Sequence, residues 1–167
     1  MVSFPPVCDY TMFTIKLSFV VLSHGTIIDD QIISRETIEA SIDGGEAYRI
    51  FQDGQPVGGV VIKVEAKRGD LELLFVSPRL HSKGIGYAAW CAVERLHPEV
   101  KVWETVTPYF EKRNIHFYVN RCGFHIVEFF NSHHPDPKDP DMAEQTDEQF
   151  PDGMFRFEKR KTTLKTE

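Results

Sequence analysis

The 167-residue sequence predicts a mixed α/β domain, with about seven strands in a mostly antiparallel sheet and helices on both faces. Two observations predict this class. Three β-rich segments follow one another with tight-turn residues between them, which is typical of an antiparallel meander. After residue 83 the spacing of apolar residues becomes helical, and helix-like and strand-like segments then alternate. The length suits one domain with one core, which we place at residues 1–167.

Segments rich in β-branched and aromatic residues are the predicted strands. They are residues 10–22, 47–52, 57–66, 70–76, 100–106, 124–130 and 154–159. Asp53-Gly54 favours a tight turn after the second strand, and Lys67-Arg68-Gly69 predicts another turn after the third. The second, third and fourth strands are therefore expected to pair antiparallel.

Helical spacing of apolar residues marks the other elements, at residues 26–42, 84–96 and 110–121. The region 26–42 is read as one or two short helices. Since a helix separates strands 70–76 and 100–106, these two strands can lie parallel through a right-handed crossover. Residues 131–152 contain four prolines and seven acids against one lysine, and they predict a long acidic loop.

Composition excludes several functional classes. The net charge of −6 and the pI near 5.6 argue against a protein that binds the phosphate backbone of nucleic acids. Apolar runs such as residues 19–22 are too short to span a bilayer. Asp9 and the lack of a basic opening segment argue against a signal peptide, so we expect a cytoplasmic protein without membrane partners. The three cysteines lack metal-like spacing and His133-His134 lacks a second ligand cluster, so no metal is expected.

The segment from Phe75 to Gly86 carries the clearest chemical signal. A strand ends there, a short loop follows, and a helix begins at two glycines one residue apart. The first N–H groups of a helix lack intrahelical partners, and the helix dipole adds positive charge at the same end. Gly84 and Gly86 leave the backbone accessible, and Lys83 adds a formal charge. This end of the helix is therefore a candidate site for a phosphate or pyrophosphate.

The same segment, His81-Ser82-Lys83-Gly84-Ile85-Gly86, resembles motif A of the GNAT acetyltransferase superfamily, Q/R-x-x-G-x-G/A. Histidine stands at position 81 where glutamine or arginine is usual. A second segment, Asn114 to Tyr118 followed by Gly123-Phe124, is similar to the N-x-x-F-Y…G-F signature of that family. The order of elements over residues 46–159 matches the family fold, whereas residues 1–45 match only in outline.

The resemblance implies acetyl-CoA as co-substrate. Its pantetheine amides would pair with the strand backbone, and its pyrophosphate would lie on the amides at the start of the following helix. Asn114 is included because it matches the asparagine of the second signature. The implied cofactor-binding residues are Leu74, Phe75, Val76, His81, Ser82, Lys83, Gly84, Ile85, Gly86, Tyr87 and Asn114.

The amine acceptor must lose a proton before it attacks, so a general base is needed. Three strand carboxylates are candidates: Asp70 and Glu72, which strand alternation places on one face, and Glu104. We rank Glu72 first; the alternative for each is a solvated carboxylate. The resemblance implies Tyr118 as the acid that protonates the leaving thiolate. One residue more than the usual spacing separates Tyr118 from Gly123, and we expect the helix C-terminus to absorb it. The alternative is a gapless alignment through Gly123, which places Val119 at the catalytic position and makes Tyr118 a core aromatic.

Together these features predict an acetyl-CoA-dependent N-acetyltransferase acting on a primary amine of a small molecule or peptide by direct transfer. A non-catalytic acyl-CoA-binding sensor on the same fold is the alternative, and an unrelated phosphate-binding domain is a third. The acids of residues 131–152 would favour a cationic acceptor, although a solvated loop or a contact in a homodimer explains them equally well.

Overall fold

A computed structural model describes residues 15–19, 35–80, 83–138 and 153–161. The described residues belong to two compact units, one up to Glu99 and the other from Val100 onward. They contain seven strands, four in the first unit and three in the second. Parts of the predicted first strand, first helical region and acidic loop lie outside the described part of the chain. They are residues 10–14, 20–22, 26–34 and 139–152.

The strands of the first unit form an antiparallel meander in which neighbours in the chain are neighbours in the sheet. These strands are β1 (Ile15–Phe19), β2 (Glu46–Gln52), β3 (Gln55–Glu65) and β4 (Arg68–Val76), and the helices are α1 (Arg35–Gly44) and α2 (Ile85–Leu96). Asp53 and Gly54 both have positive φ, 51° and 77°, as a two-residue hairpin turn between right-twisted strands requires. The predicted hairpin is confirmed.

The second turn of the meander is shorter than predicted. Ala66, with φ 55°, and Lys67 form it, and Arg68 and Gly69 already belong to β4. A lysine-arginine-glycine run suggested a three-residue turn, but pairing of Glu65 with Arg68 extends the ladder to the turn itself. The ladder hydrogen bonds thereby take precedence over the local preference of glycine for turns.

The core of the first unit positions the start of α2. Ile85 and Ala89, one helical turn apart, pack with Ile50 and Val57 of the sheet, and all four side chains are buried. Burial of a side chain the size of isoleucine contributes about 1.5–3 kcal/mol. The helix is therefore held against the sheet from its first residue.

The second unit is built on three antiparallel strands in the order β5-β7-β6. Its elements are β5 (Val102–Pro108), α3 (Lys112–His116), a π-helical segment (Phe117–Cys122), β6 (His125–Phe130) and β7 (Met154–Arg160). β5 begins and ends two residues later than predicted, because Pro98 and Glu99 form a turn after α2 and Val100 and Lys101 connect it to the strand.

The two faces of this second sheet differ in chemistry. Aromatic and hydroxyl side chains of Trp103, Thr105 and Phe157 share one face, and the ring of Tyr118 packs 5.5 Å from that of Phe157. Residues at the alternate positions, including Glu104 and its cross-strand partner Glu158, point to the other face. The second unit therefore combines an aromatic core with a face rich in charged groups.

Candidate functional site

The loop between β4 and α2 is fixed at its start by backbone hydrogen bonds. The Ser77 N–H donates to the Val57 carbonyl at 2.8 Å, and the Leu80 N–H donates to the Ser77 carbonyl at 2.9 Å. Pro78–Leu80 form one 3₁₀ turn, and the Leu80 side chain packs on the apolar cluster of the first unit. Two of the predicted site residues, His81 and Ser82, lie outside the described residues.

Gly84 marks the start of α2. Its φ of 78° lies in the left-handed region, where glycine is favoured, and a Cβ at this position would meet no atom within 4 Å. The Gly84 carbonyl accepts the first helical hydrogen bond, from the Ala88 N–H at 3.0 Å. As a glycine, Gly84 has no side chain to cap the helix, and Lys83 beside it is exposed.

This geometry leaves the first N–H groups of α2 without partners inside the helix, including those of Ile85 and Gly86. Ile85 is 2% exposed and anchors the helix in the core, whereas Gly84 just before it is exposed. Tyr87, the next predicted contact, is half-buried on the first turn. The start of α2 is thus held firmly in the core, and its role as an anion site stays a prediction.

The end of β4 places the three predicted pantetheine contacts on alternate faces. Leu74 and Val76 pack toward the apolar cluster, whereas Phe75 is 46% exposed on the other face. Phe75 lies over Gly59 of β3, where a Cβ would come within 2.8 Å of its ring carbons. Two consecutive glycines, Gly58 and Gly59, are therefore needed in β3 for the close approach of this strand end.

A β-bulge lies between the two carboxylates that strand alternation predicted to share a face of β4. The register shifts between Val61, which pairs with Leu73, and Ile62, which pairs with Leu71, so Glu72 is the extra residue of a β-bulge. The bulge interrupts the two-residue period, and the pattern no longer determines that Asp70 and Glu72 share a face. Glu72 is exposed and Asp70 is half-buried.

The π-helical segment explains the extra residue between Tyr118 and Gly123. The Gly123 N–H donates to the Tyr118 carbonyl across five residues, and the Phe124 N–H donates to the same carbonyl at 3.0 Å. A π-turn accommodates one residue more than an α-turn. Gly123, with φ 79°, then ends the helix. The predicted absorption of the extra residue at the helix C-terminus is confirmed, and its form is the π-turn.

Tyr118 is a buried phenol. It is 8% exposed and packs against Phe117, Phe124 and Phe157 with ring centroids 5.5–5.7 Å away. Burial raises the pKa of Tyr118 to about 12, while a hydrogen bond with Thr105 acts in the opposite direction. The phenol therefore keeps its proton throughout the neutral range. Asn114 lies one turn earlier, exposed on α3.

Glu104 is neither solvated nor isolated. Its side chain is 4% exposed, and its carboxylate is 2.7 Å from the Lys138 Nζ and 3.5 Å from an Arg156 guanidinium nitrogen. The solvated alternative is therefore wrong for this residue. Sequence reasoning missed both cations, although Arg156 follows from the alternation of Met154–Lys159, which places it on the same face as Glu158.

The histidine pair is engaged in local structure. Asn131 Oδ1 accepts the backbone N–H groups of His133 and His134, each at 2.9 Å, and His134 Nε2 lies 2.9 Å from Glu128. That hydrogen bond, with smaller effects of Arg156, lowers the pKa of Glu128. Among the described residues, no group of three or more histidine, cysteine or acidic side chains has the arrangement of a metal site.

The model of the acetyltransferase (GNAT) family matches residues 22–124, which is more than half of the chain. The protein is therefore of the acyltransferase class, and it belongs to the GNAT acetyltransferase family. The match continues across both compact units. Within the described part of the chain, no helix has the length and apolar character of a membrane span.

The chain is also similar to a curated relative and to solved structures. The uncharacterized protein YrkN of Bacillus subtilis (strain 168) is 45% identical over 146 residues, which are 84% of this chain and 79% of that protein. A GNAT family acetyltransferase from Elizabethkingia anophelis, solved with acetyl-CoA bound, is 16% identical with a TM-score of 0.67 over 91% of this chain and 100% of its own. A B. subtilis acetyltransferase in complex with CoA is 17% identical with a TM-score of 0.62, and the match covers 90% of this chain and 99% of that protein. The solved structures confirm the predicted fold class.

Proposed function

We propose that this protein is an acetyl-CoA-dependent N-acetyltransferase that transfers the acetyl group directly to a primary amine of a small molecule or peptide. The observation that carries the proposal is the start of α2, where Gly84 opens the helix without a side-chain cap in a chain of the GNAT family. Two structural neighbours were solved with acetyl-CoA or CoA, which supports acetyl-CoA as the co-substrate.

The residues at this helix start fit the diphosphate of acetyl-CoA. The open space around Gly84 admits phosphate oxygens close to the backbone, and the N–H groups of Ile85 and Gly86 supply hydrogen-bond donors. Lys83, exposed beside them, adds a positive charge. Exposed Phe75 at the end of β4 supplies an apolar surface near the strand backbone assigned to the pantetheine. Bound acetyl-CoA supplies an activated acetyl thioester.

In this proposal Tyr118 provides the proton that the departing sulfur takes up. Because its pKa is raised to about 12, the Oη proton is present at every pH at which an amine acceptor is tested. Glu72 receives the proton of the acceptor amine, directly or through water, which suits an exposed carboxylate on a bulge. A bulge re-aims a side chain relative to the strand, which gives Glu72 a position that regular pairing would not provide.

A second candidate function is a non-catalytic acyl-CoA-binding module. The packing of Tyr118 among three aromatic rings favours it, because a core tyrosine has the same surroundings. The two candidates differ in one measurable product, the free thiol of CoA.

The test has two stages. Acetyl-CoA should stabilise the protein against heat, by about 2.7 kcal/mol at a hundredfold excess over its dissociation constant. Release of free thiol should then be followed with a panel of primary amines. Thiol release that depends on an amine supports the enzyme, and stabilisation without thiol release for any amine supports the binding module. No stabilisation by acetyl-CoA or CoA contradicts both.

A further inference from the structure

The backbone and the ring of Tyr118 are both held in place within the second unit. The Tyr118 carbonyl accepts the N–H groups of Gly123 and Phe124, the latter at 3.0 Å. Its ring packs with centroids 5.5–5.7 Å from those of Phe117, Phe124 and Phe157. Rotation about the bond between the ring and Oη still moves the phenol proton, so a polar partner must set the direction of that proton.

Strand pairing places a hydroxyl group on the same side of the sheet as this ring. Thr105 of β5 lies directly opposite Phe157 of β7 in the antiparallel ladder, and it is 6% exposed. Directly opposite side chains share one face, so Thr105 and Phe157 both face Tyr118. The side chain of Thr105 forms a hydrogen bond with Tyr118. Thr105 is therefore a polar partner for the phenol oxygen.

The direction of this hydrogen bond follows from its effect on the phenol. The bond acts to lower the pKa of Tyr118, against the larger effect of burial. A hydrogen bond lowers the pKa of an acid when it favours the ionised form, and a phenolate can only accept. The Thr105 hydroxyl is therefore the donor and Tyr118 Oη the acceptor, which leaves the phenol proton available to another acceptor.

We propose that Thr105 is a positioning residue for Tyr118, whose hydroxyl donates to Oη, directs the phenol proton away from β5 and stabilises the phenolate that proton transfer leaves behind. The catalytic part of this proposal rests on the proposed function. When Tyr118 gives up its proton, its O–H bond breaks and an S–H bond forms on the departing sulfur. The phenolate then regains a proton from water.

The chemistry of this step explains why a donor is needed at Oη. The ordinary pKa of a thiol is about 8.5, whereas burial raises the pKa of Tyr118 to about 12. Transfer of the phenol proton to a thiolate therefore produces the stronger base of the two. A hydrogen bond that strengthens as the phenolate forms reduces the cost of that transfer.

The first experiment tests the hydrogen bond without catalysis. Thr105→Val keeps the shape of the side chain and removes its hydroxyl, and Tyr118→Phe removes the partner. The double variant should lose less melting temperature than the sum of the two single losses, because the same bond is lost in each. Thr107→Val is the matched control, since Thr107 is 3% exposed on the same face of β5, opposite Phe155. Its loss should add to that of Tyr118→Phe. Additive losses for Thr105→Val as well overturn the proposal.

The second experiment measures thiol release with a primary amine that the wild-type protein accepts. Thr105→Val should lower kcat about 10- to 100-fold, because its hydroxyl donates to a charged oxygen, with KM for acetyl-CoA unchanged. Thr105→Ser, which keeps the hydroxyl, should restore most of kcat. In the Tyr118→Phe background, Thr105→Val should change kcat less than about twofold, since its effect passes through Tyr118. A full loss of kcat in that background, or no rescue by serine, overturns the proposal.

The results also separate this proposal from the proposed function. Thiol release by the wild-type protein with an undiminished kcat in Thr105→Val overturns this proposal and leaves the proposed function standing. No thiol release by the wild-type protein with any amine overturns the proposed function together with the catalytic part of this proposal.

Discussion

Replacing Gly84 by aspartate should weaken CoA binding much more than replacing it by asparagine. Both side chains have the same shape, and both tolerate a positive φ better than other non-glycine residues. The φ of 78° therefore strains the two variants alike. Since a Cβ at this position meets no atom within 4 Å, neither variant disturbs the packing of α2. The comparison isolates one negative charge at the helix start.

The magnitude follows from electrostatics. A carboxylate about 6 Å from one phosphate charge is repelled by roughly 0.7 kcal/mol at the dielectric constant of water and roughly 2.8 kcal/mol at an effective value of 20. The expected difference in affinity between the two variants is therefore about 3- to 100-fold. It should decrease as salt rises from 0.05 to about 1 M, because the Debye length falls to about 3 Å.

Isothermal titration with CoA measures this difference directly. Thermal unfolding of both variants without ligand serves as the control, and the aspartate variant should melt no lower than the asparagine variant, because a carboxylate is favourable at a helix N-terminus. Equal CoA affinities of the aspartate and asparagine variants at low salt would refute the placement of the diphosphate at this helix start.

Three further predictions concern the described residues. Tyr118→Phe should lower kcat by roughly 10²-fold or more with unchanged CoA affinity, and an undiminished kcat would argue against Tyr118 as the acid. The wild-type kcat should show no decline centred near pH 10, because the pKa of Tyr118 is about 12; a decline there that Tyr118→Phe lacks would contradict the raised pKa. Gly58→Ala places a Cβ 2.2 Å from the Phe75 carbonyl oxygen, whereas Gly59→Ala meets only the movable Phe75 ring at 2.8 Å. Denaturant unfolding should show losses of about 3 and about 1 kcal/mol respectively, and equal losses would contradict the packing described. Glu128→Gln should reduce thermal stability at neutral pH, and the reduction should begin to shrink near pH 4.5 and disappear as pH falls through the folded-state pKa of Glu128, because that pKa is lowered from 4.5. An undiminished difference in melting temperature at pH 3 would contradict this assignment.

Much of the fold was predictable because local chemistry and tertiary pairing agree. Local residues favour the backbone conformation at three predicted features. These are the turn at Asp53-Gly54, the helix of residues 85–96 and the helix C-cap at Gly123. The start of α2 at Gly84 was predictable for the same reason, since the glycine marks its position, while its role in binding a cofactor stays a prediction.

The side-chain chemistry was less predictable because it depends on register and on distant residues. Strand alternation predicted that Asp70 and Glu72 share one face of β4. The bulge at Glu72 depends on pairing with β3 and has no signature in the local sequence. For Glu104 the sequence left a general base and a solvated carboxylate open, because nothing near it in the sequence reveals Lys138, 34 residues away. The extra residue before Gly123 was visible in the sequence, whereas its accommodation as a π-turn required the structure.

The most direct test of the central claim is an amide-resolved NMR titration of the full chain with acetyl-CoA. The N–H resonances of Ile85 and Gly86 should shift strongly at saturation, and inorganic pyrophosphate should move the same two amides in the same direction. Saturable acetyl-CoA binding that leaves both resonances unchanged would contradict the claim that the start of α2 holds the diphosphate.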